Sequence, residues 1–328
     1  MRKKSPCHGG ASDVAYNLPS QRSTREPMQT RHLVRFVCTA AFGLAAIAVE
    51  AKEVTLSHKG LTLNANLELA ADKKLADGAI LITHGMLAHR DMEALVYLRN
   101  LLKEKGYNTL AINLGLGLNN RHDMYDCKVT HRHRQTDAAD EISAWVDWLK
   151  KQGANRATVL GHSNGGAQTA LYAAERNNAL IKAVVLMAPA THDNNNAASF
   201  QKRYQKPLAP VLEKAQKLVK EGKGTTVLEH TDFLYCPDTS VTADAFVSYY
   251  GPNRLDTPTL IPKIKKPTLV VVAGSDDVVI GLDKKVAPLA DGKHVQMKVI
   301  DSADHFFRDL YADDAVEAIG AFLKGTGL

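Results

Sequence analysis

The stretch from Ala157 to Arg176 reads ATVLGHSNGGAQTALYAAER, and it decides the fold. Its first four residues form a short apolar run typical of a buried strand, and the residues from Gly165 onward have helical spacing. The turn between them, Gly161-His162-Ser163-Asn164-Gly165, has the spacing G-x-S-x-G. A serine on a sharp strand-to-helix turn has a strained backbone, and bulk two residues away on either side would collide. The stretch therefore predicts a serine hydroxyl presented at the carboxyl edge of a sheet.

Strands and helices alternate along the chain on both sides of this turn. Residues 53–70 alternate apolar and polar side chains around a Lys-Gly break, which predicts an antiparallel hairpin. Apolar runs at 79–83, 107–114, 181–187, 267–273 and 295–300 predict further strands, and helical spacing at 91–105, 136–152 and 309–324 predicts helices. This alternation predicts an α/β fold with a mostly parallel central sheet and helices on both faces.

One connection is much longer than the others. The segment from Pro189 to Lys266 far exceeds the usual connection of about 2–6 residues. It contains helix-like stretches at Ser199 to Lys220 and at Ala243 to Tyr250. We expect residues 190–266 to form a helical cap, inserted between the later strands of a domain that spans residues 52–328.

Composition and charge exclude several classes of protein. Hydrophobic residues make up 45% of the chain and charged residues 23%, which suits a globular core rather than disorder or a coiled coil. The formal net charge is +6, but the basic excess is concentrated in residues 1–51, which hold seven Lys and Arg against three Asp and Glu. The remaining chain is nearly balanced, so we exclude a charge-driven interaction with nucleic acid.

The N-terminal region is typical of a secretory signal. Arg31 and Arg35 precede an apolar run from Phe36 to Val49, and small residues follow at a position suited to cleavage before Lys52. The run is shorter than the roughly 20 residues that span a bilayer, so a permanent anchor is the weaker alternative. We predict a signal peptide at residues 28–51, a secreted or periplasmic mature protein without a stable membrane span, and an upstream extension at residues 1–27 that translation omits by starting at Met28.

Two cysteines, Cys127 and Cys236, remain after removal of that segment. In an oxidising compartment they could form a disulfide, or they could remain two unpaired thiols. The sequence leaves both alternatives open, because it does not supply the Cα distance that a disulfide requires.

These strands, the His-Gly loop after the first central strand, and the serine turn together resemble an α/β-hydrolase from about Val54 to Leu323. The resemblance implies a triad in the chain order nucleophile, acid, histidine. It matches Ser163 to the nucleophile and His305, after the last strand, to the histidine. The acid falls in the segment GSDDVV, where the usual spacing from the glycine favours Asp277 over Asp276.

The resemblance also implies two backbone N–H donors for the oxyanion of an acyl-transfer reaction. One is the N–H of Asn164, directly after the serine. The other comes from the loop His84-Gly85-Met86 and is assigned to Met86 by its position. This loop lacks the HGGG run of one lipase and esterase branch, so membership of that branch is not implied.

Other polar residues have alternative interpretations. A metal site from His131 and His133 with His122 or Asp123 is conceivable, but the ligand set is incomplete, so we expect a solvated loop and predict no metal or cofactor. We expect Asp304 to cap a turn rather than orient His305. We further expect a polar turn in the segment from His192 to Asn196, and packing roles for two aromatic side chains, Tyr249 and Tyr250.

The sequence favours a secreted serine hydrolase that cleaves small-molecule carboxylic esters through an acyl-enzyme. Amide or thioester cleavage by the same residues, as in a peptidase, is the first alternative. A catalytically silent envelope-binding protein of the same fold is the second, although a binding protein does not need Ser163, an acid and His305 together. The oligomeric state and the substrate's acyl and alcohol groups are not predictable from the sequence.

Overall fold

The structure is a computed structural model, and it describes residues 51–252 and 255–326. The predicted extension at residues 1–27 lies outside the described residues, as does the predicted signal peptide at 28–51 apart from Ala51. Within the described part of the chain, no helix has both the length and the apolar character needed to cross a membrane.

The described residues form a large sheet and a separate hairpin. The strands are β1 (Lys52–His58), β2 (Leu61–Glu68), β3 (Ala79–Thr83), β4 (Thr109–Ile112), β5 (Ala157–His162), β6 (Ile181–Met187), β7 (Val227–Phe233), β8 (Cys236–Thr242), β9 (Thr268–Ala273) and β10 (Val295–Ile300). The large sheet has the order β1-β2-β4-β3-β5-β6-β9-β10, and β7 pairs with β8. Strands β1 and β2 are antiparallel to their neighbours, and the other six are parallel. This confirms the predicted mostly parallel sheet.

Helices cover both faces of the sheet. They are α1 (Glu93–Glu104), α2 (Asp137–Lys151), α3 (Asn164–Glu175), α4 (Ala197–Tyr204), α5 (Ala209–Lys220), α6 (Ala243–Tyr250), α7 (Thr257–Leu260), α8 (Leu282–Val286) and α9 (Leu310–Lys324). Because successive strand residues point to opposite faces, Ile80 and Ile82 pack with α1 and α9, whereas Leu81 packs with α2 and α3. Strands β3, β5 and β9 are buried along their whole length, as expected between two helical layers.

The strand register gathers four loops at one edge of the sheet. Thr83 at the end of β3 pairs with Gly161 of β5, and Ala273 at the end of β9 pairs with Ile300 of β10. Parallel strands end at a common edge, so the loops that follow β3, β5, β9 and β10 come together there. The chemistry predicted from the sequence lies in these loops.

The inserted segment contains helices α4 to α7 and, in addition, the hairpin of β7 and β8, which the sequence analysis did not predict. A two-residue turn, Leu234-Tyr235, connects the two strands, and Leu234 has a φ of 55°. The two residues of such a turn are usually Asn-Gly, Asp-Gly or a similar pair. Leu-Tyr is not such a pair, so the sequence predicts only helices in this segment.

A disulfide between Cys127 and Cys236 joins this hairpin to the long loop that precedes α2, with a Cα–Cα distance of 5.3 Å. The structure therefore decides between the two alternatives for these cysteines in favour of the bond. The same loop also pairs with the hairpin through its backbone, since His131 N donates to Ser240 O and Thr242 N donates to His131 O. The loop and the hairpin thus form one connected structure.

Candidate active site

Ser163 lies on a sharp turn between β5 and α3, with φ 58° and ψ −125°. A Cβ added to Gly161 would lie 2.3 Å from the carbonyl oxygen of Gly165, and one added to Gly165 would lie 2.1 Å from that of His84. Both are far closer than atoms can pack, so any larger residue at either position would force the backbone apart. The turn is therefore built from backbone contacts that only glycine permits, which is the steric reason for the G-x-S-x-G spacing.

Two hydrogen bonds connect Ser163, His305 and Asp276 in a chain. The distance from Ser163 Oγ to His305 Nε2 is 2.9 Å, and the distance from His305 Nδ1 to Asp276 Oδ2 is also 2.9 Å. The carboxylate can only accept, so Nδ1 carries the proton and Nε2 is free to accept from the serine hydroxyl. The His305 and Asp276 side chains are both nearly fully buried. The arrangement has the geometry of a hydroxyl placed next to a general base.

The expectation that Asp277 is the acid is wrong, because the carboxylate beside His305 belongs to Asp276. Gly274 N donates to Ile300 O and Ser275 N donates to Ala303 O, which keeps the chain paired with the end of β10 and the turn after it for two residues beyond β9. The next side chain, Asp276, then faces inward toward His305. Asp277 is exposed and lines a neighbouring polar groove.

Asp276 is held as a carboxylate. Its Oδ1 accepts hydrogen bonds from the backbone N–H groups of Val278 and Val279, at 2.8 and 2.7 Å. Burial alone would raise the pKa of this carboxyl group, but the hydrogen bonds from His305 and from these two backbone groups outweigh it and lower the pKa. Asp276 therefore presents a negative charge to the imidazole.

The loop after β3 lies directly against the serine. A Cβ on Gly85 would lie 3.3 Å from the Ser163 Cβ, and Met86 lines the same cavity as Ser163. Asn164 is the first residue of α3, so its backbone N–H has no acceptor within the helix. Both predicted oxyanion donors are thus next to the nucleophile, and their role in charge stabilisation stays a prediction.

His84 fixes the shape of this loop. Its Nδ1 donates to Gly85 O at 2.9 Å, and its Nε2 accepts from Leu114 N at 3.1 Å and from the Arg121 guanidinium at 3.0 Å. Burial, reinforced by the positive charge of Arg121, lowers the His84 pKa to about 3, so the ring is neutral. The sequence predicts the His-Gly loop at this position, but no sequence pattern indicates that the His84 ring holds the loop through hydrogen bonds.

His162 performs a similar function for the histidine segment. Its Nε2 donates to the backbone carbonyl of His305 at 2.8 Å, and burial lowers its pKa to about 4. It thereby ties the residue before the serine to the loop that carries the general base. Only its position within the G-x-S-x-G turn could have pointed to it from the sequence.

The other singled-out residues lie away from the hydrogen-bonded chain. Asp304 caps a turn as expected, because its Oδ1 accepts from Phe306 N and Arg308 N. The segment His192–Asn195 forms a 3-10 turn, in which the amide of Asn194 donates to Val278 O. As expected, two aromatic side chains of α6 are buried in the core, Tyr249 and Tyr250.

The three histidines of the long loop do not assemble into a metal site. His131 and His133 are buried and joined by a 3.2 Å contact between Nδ1 and Nε2, and His133 Nδ1 contacts the Tyr249 hydroxyl at 2.9 Å. His122 is half-buried and lies against Glu53. Among residues 51–252 and 255–326, no group of three or more His, Cys, Asp or Glu is arranged to hold a metal ion.

Two compartments lie at the edge of the sheet that carries Ser163. A cavity of about 240 Å³ contains Ser163 and His305 and is lined mainly by apolar side chains. A groove of about 520 Å³ beside it is lined by charged and polar side chains together with apolar ones such as Ile280, and the two compartments share Tyr235 and Val278. Ser163 therefore faces a small apolar chamber with the groove adjoining it.

Comparison with solved structures identifies the fold. Est1E from Butyrivibrio proteoclasticus superimposes with a TM-score of 0.56 at 21% identity, covering 84% of this chain and 98% of Est1E. Ferulic acid-bound Est1E gives a TM-score of 0.60 at 21% identity, covering 83% of this chain and 98% of Est1E. The Pyrococcus furiosus esterase Pf2001 gives 0.56 at 18% identity, covering 85% of this chain and 94% of the esterase. At these identities the likeness establishes the fold alone.

The family comparison is more specific. No curated protein matches the chain significantly. The sequence profile described as "Serine aminopeptidase, S33" matches residues 74–308, which include the serine turn, Asp276 and His305. The chain therefore belongs to this family of α/β hydrolases.

Proposed function

We propose that the protein is a serine hydrolase that cleaves carboxylic esters of small molecules through an acyl-enzyme. The observation that carries the proposal is the hydrogen-bonded chain from Ser163 through His305 to Asp276, located on a strained turn at the carboxyl edge of the sheet. Family membership supports hydrolysis, and several similar structures are described as esterases.

In the first half of the reaction, Ser163 Oγ attacks the ester carbonyl carbon while His305 Nε2 takes the hydroxyl proton. Asp276 keeps the proton on Nδ1 and stabilises the imidazolium that forms. When the tetrahedral intermediate collapses, the bond from carbon to the alcohol oxygen breaks and the imidazolium returns its proton to that oxygen. The acyl group remains on Ser163.

In the second half, His305 takes a proton from water as the water oxygen attacks the acyl carbon. The bond from that carbon to Ser163 Oγ then breaks, and the imidazolium returns the proton to Oγ. The carboxylic acid leaves. In both halves the backbone N–H groups of Met86 and Asn164 stabilise the oxyanion, and each such donor is typically worth about 3–4 kcal/mol.

We further propose that the protein is exported to an oxidising compartment. The disulfide between Cys127 and Cys236 supports this proposal, since such bonds persist in secreted and periplasmic proteins and are rare in a reducing cytosol. The predicted signal peptide at residues 28–51 points the same way.

Amide cleavage is a second candidate, because the matching family is described as a serine aminopeptidase. An aminopeptidase needs an acceptor for the substrate's ammonium group, and the exposed carboxylate of Asp277 lines the groove beside the cavity. Asp193 lines the same groove but is already paired with Lys285. In this case aminoacyl p-nitroanilides would be hydrolysed, and Asp277→Asn would raise KM for the anilide but not for a p-nitrophenyl ester.

The test is hydrolysis of a p-nitrophenyl ester series and of aminoacyl p-nitroanilides by the wild type and by Ser163→Ala. We expect ester turnover that falls at least about 10⁴-fold in the variant, because nucleophile loss in a serine triad has effects of this size or larger. Anilide turnover without ester turnover would favour the peptidase. A wild type without either activity would leave the silent binding protein.

A further inference from the structure

Tyr235 occupies an unusual position in the inserted segment. It is the second residue of the two-residue turn between β7 and β8, and 52% of its surface is exposed. Despite this exposure, it lines both the cavity that contains Ser163 and the polar groove beside it. It therefore stands at the boundary between the two compartments.

The compartments on the two sides of Tyr235 differ in chemistry. Apolar side chains line the cavity, among them Met86, Leu95 and Phe306. Charged side chains line the groove, including Lys202 and Asp277. At about 240 Å³ the cavity is smaller than the roughly 300–1,000 Å³ of a site for a drug-sized ligand, so it accommodates only part of a substrate.

The turn that carries Tyr235 is held in place by side chains from two helices. Leu234 N donates to the Tyr250 hydroxyl at 2.9 Å, and Leu234 O accepts from Arg203 at 2.8 Å and from the Tyr204 hydroxyl. The Arg203 guanidinium carbon also lies 4.3 Å from the centre of the Tyr235 ring, within the range of a cation–π interaction. The backbone of the turn is therefore fixed by both helices, and Arg203 packs against the ring of Tyr235.

The disulfide connects the turn to a second segment that lines the cavity. Cys236 follows Tyr235 directly, and its partner Cys127 lies three residues after Met124. Met124 lines the cavity but not the groove, and 51% of its surface is exposed. One covalent bond thus fixes the spacing between two segments at the rim of the cavity.

We propose that Tyr235 is a specificity-determining residue, which closes the apolar cavity against the polar groove and thereby limits the length of the substrate's apolar group. The proposal rests on the ester hydrolysis proposed above. The substrate class that fits is an ester with one short apolar group, seated in the cavity, and one polar group that reaches the groove. The disulfide between Cys127 and Cys236 positions the rim.

The test compares Tyr235→Ala with Tyr235→Phe, which keeps the ring, and with Tyr97→Ala, which removes a ring of similar exposure that lines neither compartment. For each protein, kcat/KM is measured on p-nitrophenyl esters from acetate to octanoate. In Tyr235→Ala we expect the octanoate-to-acetate ratio to rise about tenfold, the effect of burying roughly two more methylene groups. In the two control variants the ratio should change less than about threefold.

The rate of covalent labelling by alkyl phosphonates of increasing chain length gives the same ratio without ester turnover. An unchanged ratio in Tyr235→Ala, or an equal rise in Tyr97→Ala, would overturn the role of Tyr235 while leaving ester hydrolysis intact. Absence of both labelling and turnover in the wild type would overturn both proposals. A thermal unfolding curve for each variant establishes that the comparison is between folded proteins.

Discussion

The edge of the central sheet and the inserted segment achieve precise placement by different means. At the sheet edge, Ser163 follows β5 directly and Asp276 lies three residues after β9, and close backbone contacts at Gly161, Gly165 and Gly274 fix their positions. In the insert, side-chain hydrogen bonds and the disulfide at Cys236 hold the hairpin turn. The difference indicates that the hydrogen-bonded chain of Ser163 depends on backbone geometry at the sheet edge, whereas the position of Tyr235 depends on side-chain contacts and a disulfide.

The largest predicted effect comes from substituting, one at a time, the two neighbouring acids in the loop after β9. Asp276→Asn should lower kcat by about 10³–10⁴-fold, because the amide no longer holds the tautomer of His305 or stabilises the imidazolium. Asp277→Asn is the matched control, and it should change kcat for an ester less than about threefold. Steady-state kinetics on p-nitrophenyl acetate measures both, and an equal loss in the two variants would contradict the assignment of Asp276.

Removing the disulfide tests how the insert is held to the long loop before α2, without changing a residue of the sheet edge. The double variant Cys127→Ala/Cys236→Ala should lose roughly 4 kcal/mol of unfolding free energy, since the bond spans 109 residues and closes a loop of that order. Activity on the short acetate ester should stay within about threefold, because the bond lies outside the hydrogen-bonded chain of Ser163. Denaturant unfolding and acetate kinetics are the measurements. Loss of acetate activity in a still-folded variant would show that the two regions are not separable.

A single methyl group at the sheet edge should also be costly. Gly165→Ala places its Cβ against the His84 carbonyl, and we expect a loss of about 3 kcal/mol in unfolding free energy together with most of the activity. Gly320→Ala in α9 is the control, because the nearest atom to its Cβ is 3.8 Å away and alanine favours helix by about 0.5–1 kcal/mol. A Gly165→Ala protein as stable as the wild type would disprove the steric account of the turn.

The dependence of unfolding free energy on pH tests histidines at the sheet edge and in the long loop that pairs with the hairpin. Burial lowers the pKa of His84 and His133 to about 3, and of His131 and His162 to about 4. Unfolding therefore takes up protons between these values and the ordinary pKa of about 6.5, so unfolding free energy decreases as the pH falls through this window. Glu141 opposes the trend, because burial raises its pKa to about 7 and its contribution is lost as the pH rises from about 4.5 to 7.

The His131 share of this effect is the smallest predicted change. His131→Asn should reduce the proton uptake on unfolding between about pH 4 and pH 6.5 by about one proton. The slope of unfolding free energy against pH measures this uptake. A wild-type protein that is more stable at pH 5 than at pH 7 would contradict the account of these four histidines.

The sequence predicts those parts of the structure that local pattern determines. Continuous apolar runs predict the parallel strands, and the glycines around Ser163 predict the turn. The choice between Asp276 and Asp277 depends instead on how far Gly274 and Ser275 stay paired beside β10, which is a tertiary property. Spacing from the glycine therefore favoured the wrong residue.

The insert was less predictable for related reasons. The tight turn of its hairpin is Leu234-Tyr235, a pair that lacks the glycine or asparagine usual in such turns. The disulfide could be decided only with the Cα distance in hand. The compartments on either side of Tyr235 are formed by segments far apart in the chain, so no local pattern reveals them.

The most direct test of the central claim is to map the residue that an alkyl phosphonate modifies. After incubation, the protein is digested and the labelled peptide is identified by mass spectrometry, with His305→Ala treated in parallel. The account predicts one adduct per chain, located on Ser163, and labelling slowed at least about 10³-fold in His305→Ala, because the imidazole activates the hydroxyl. An adduct on another residue, or equally fast labelling without His305, would contradict it.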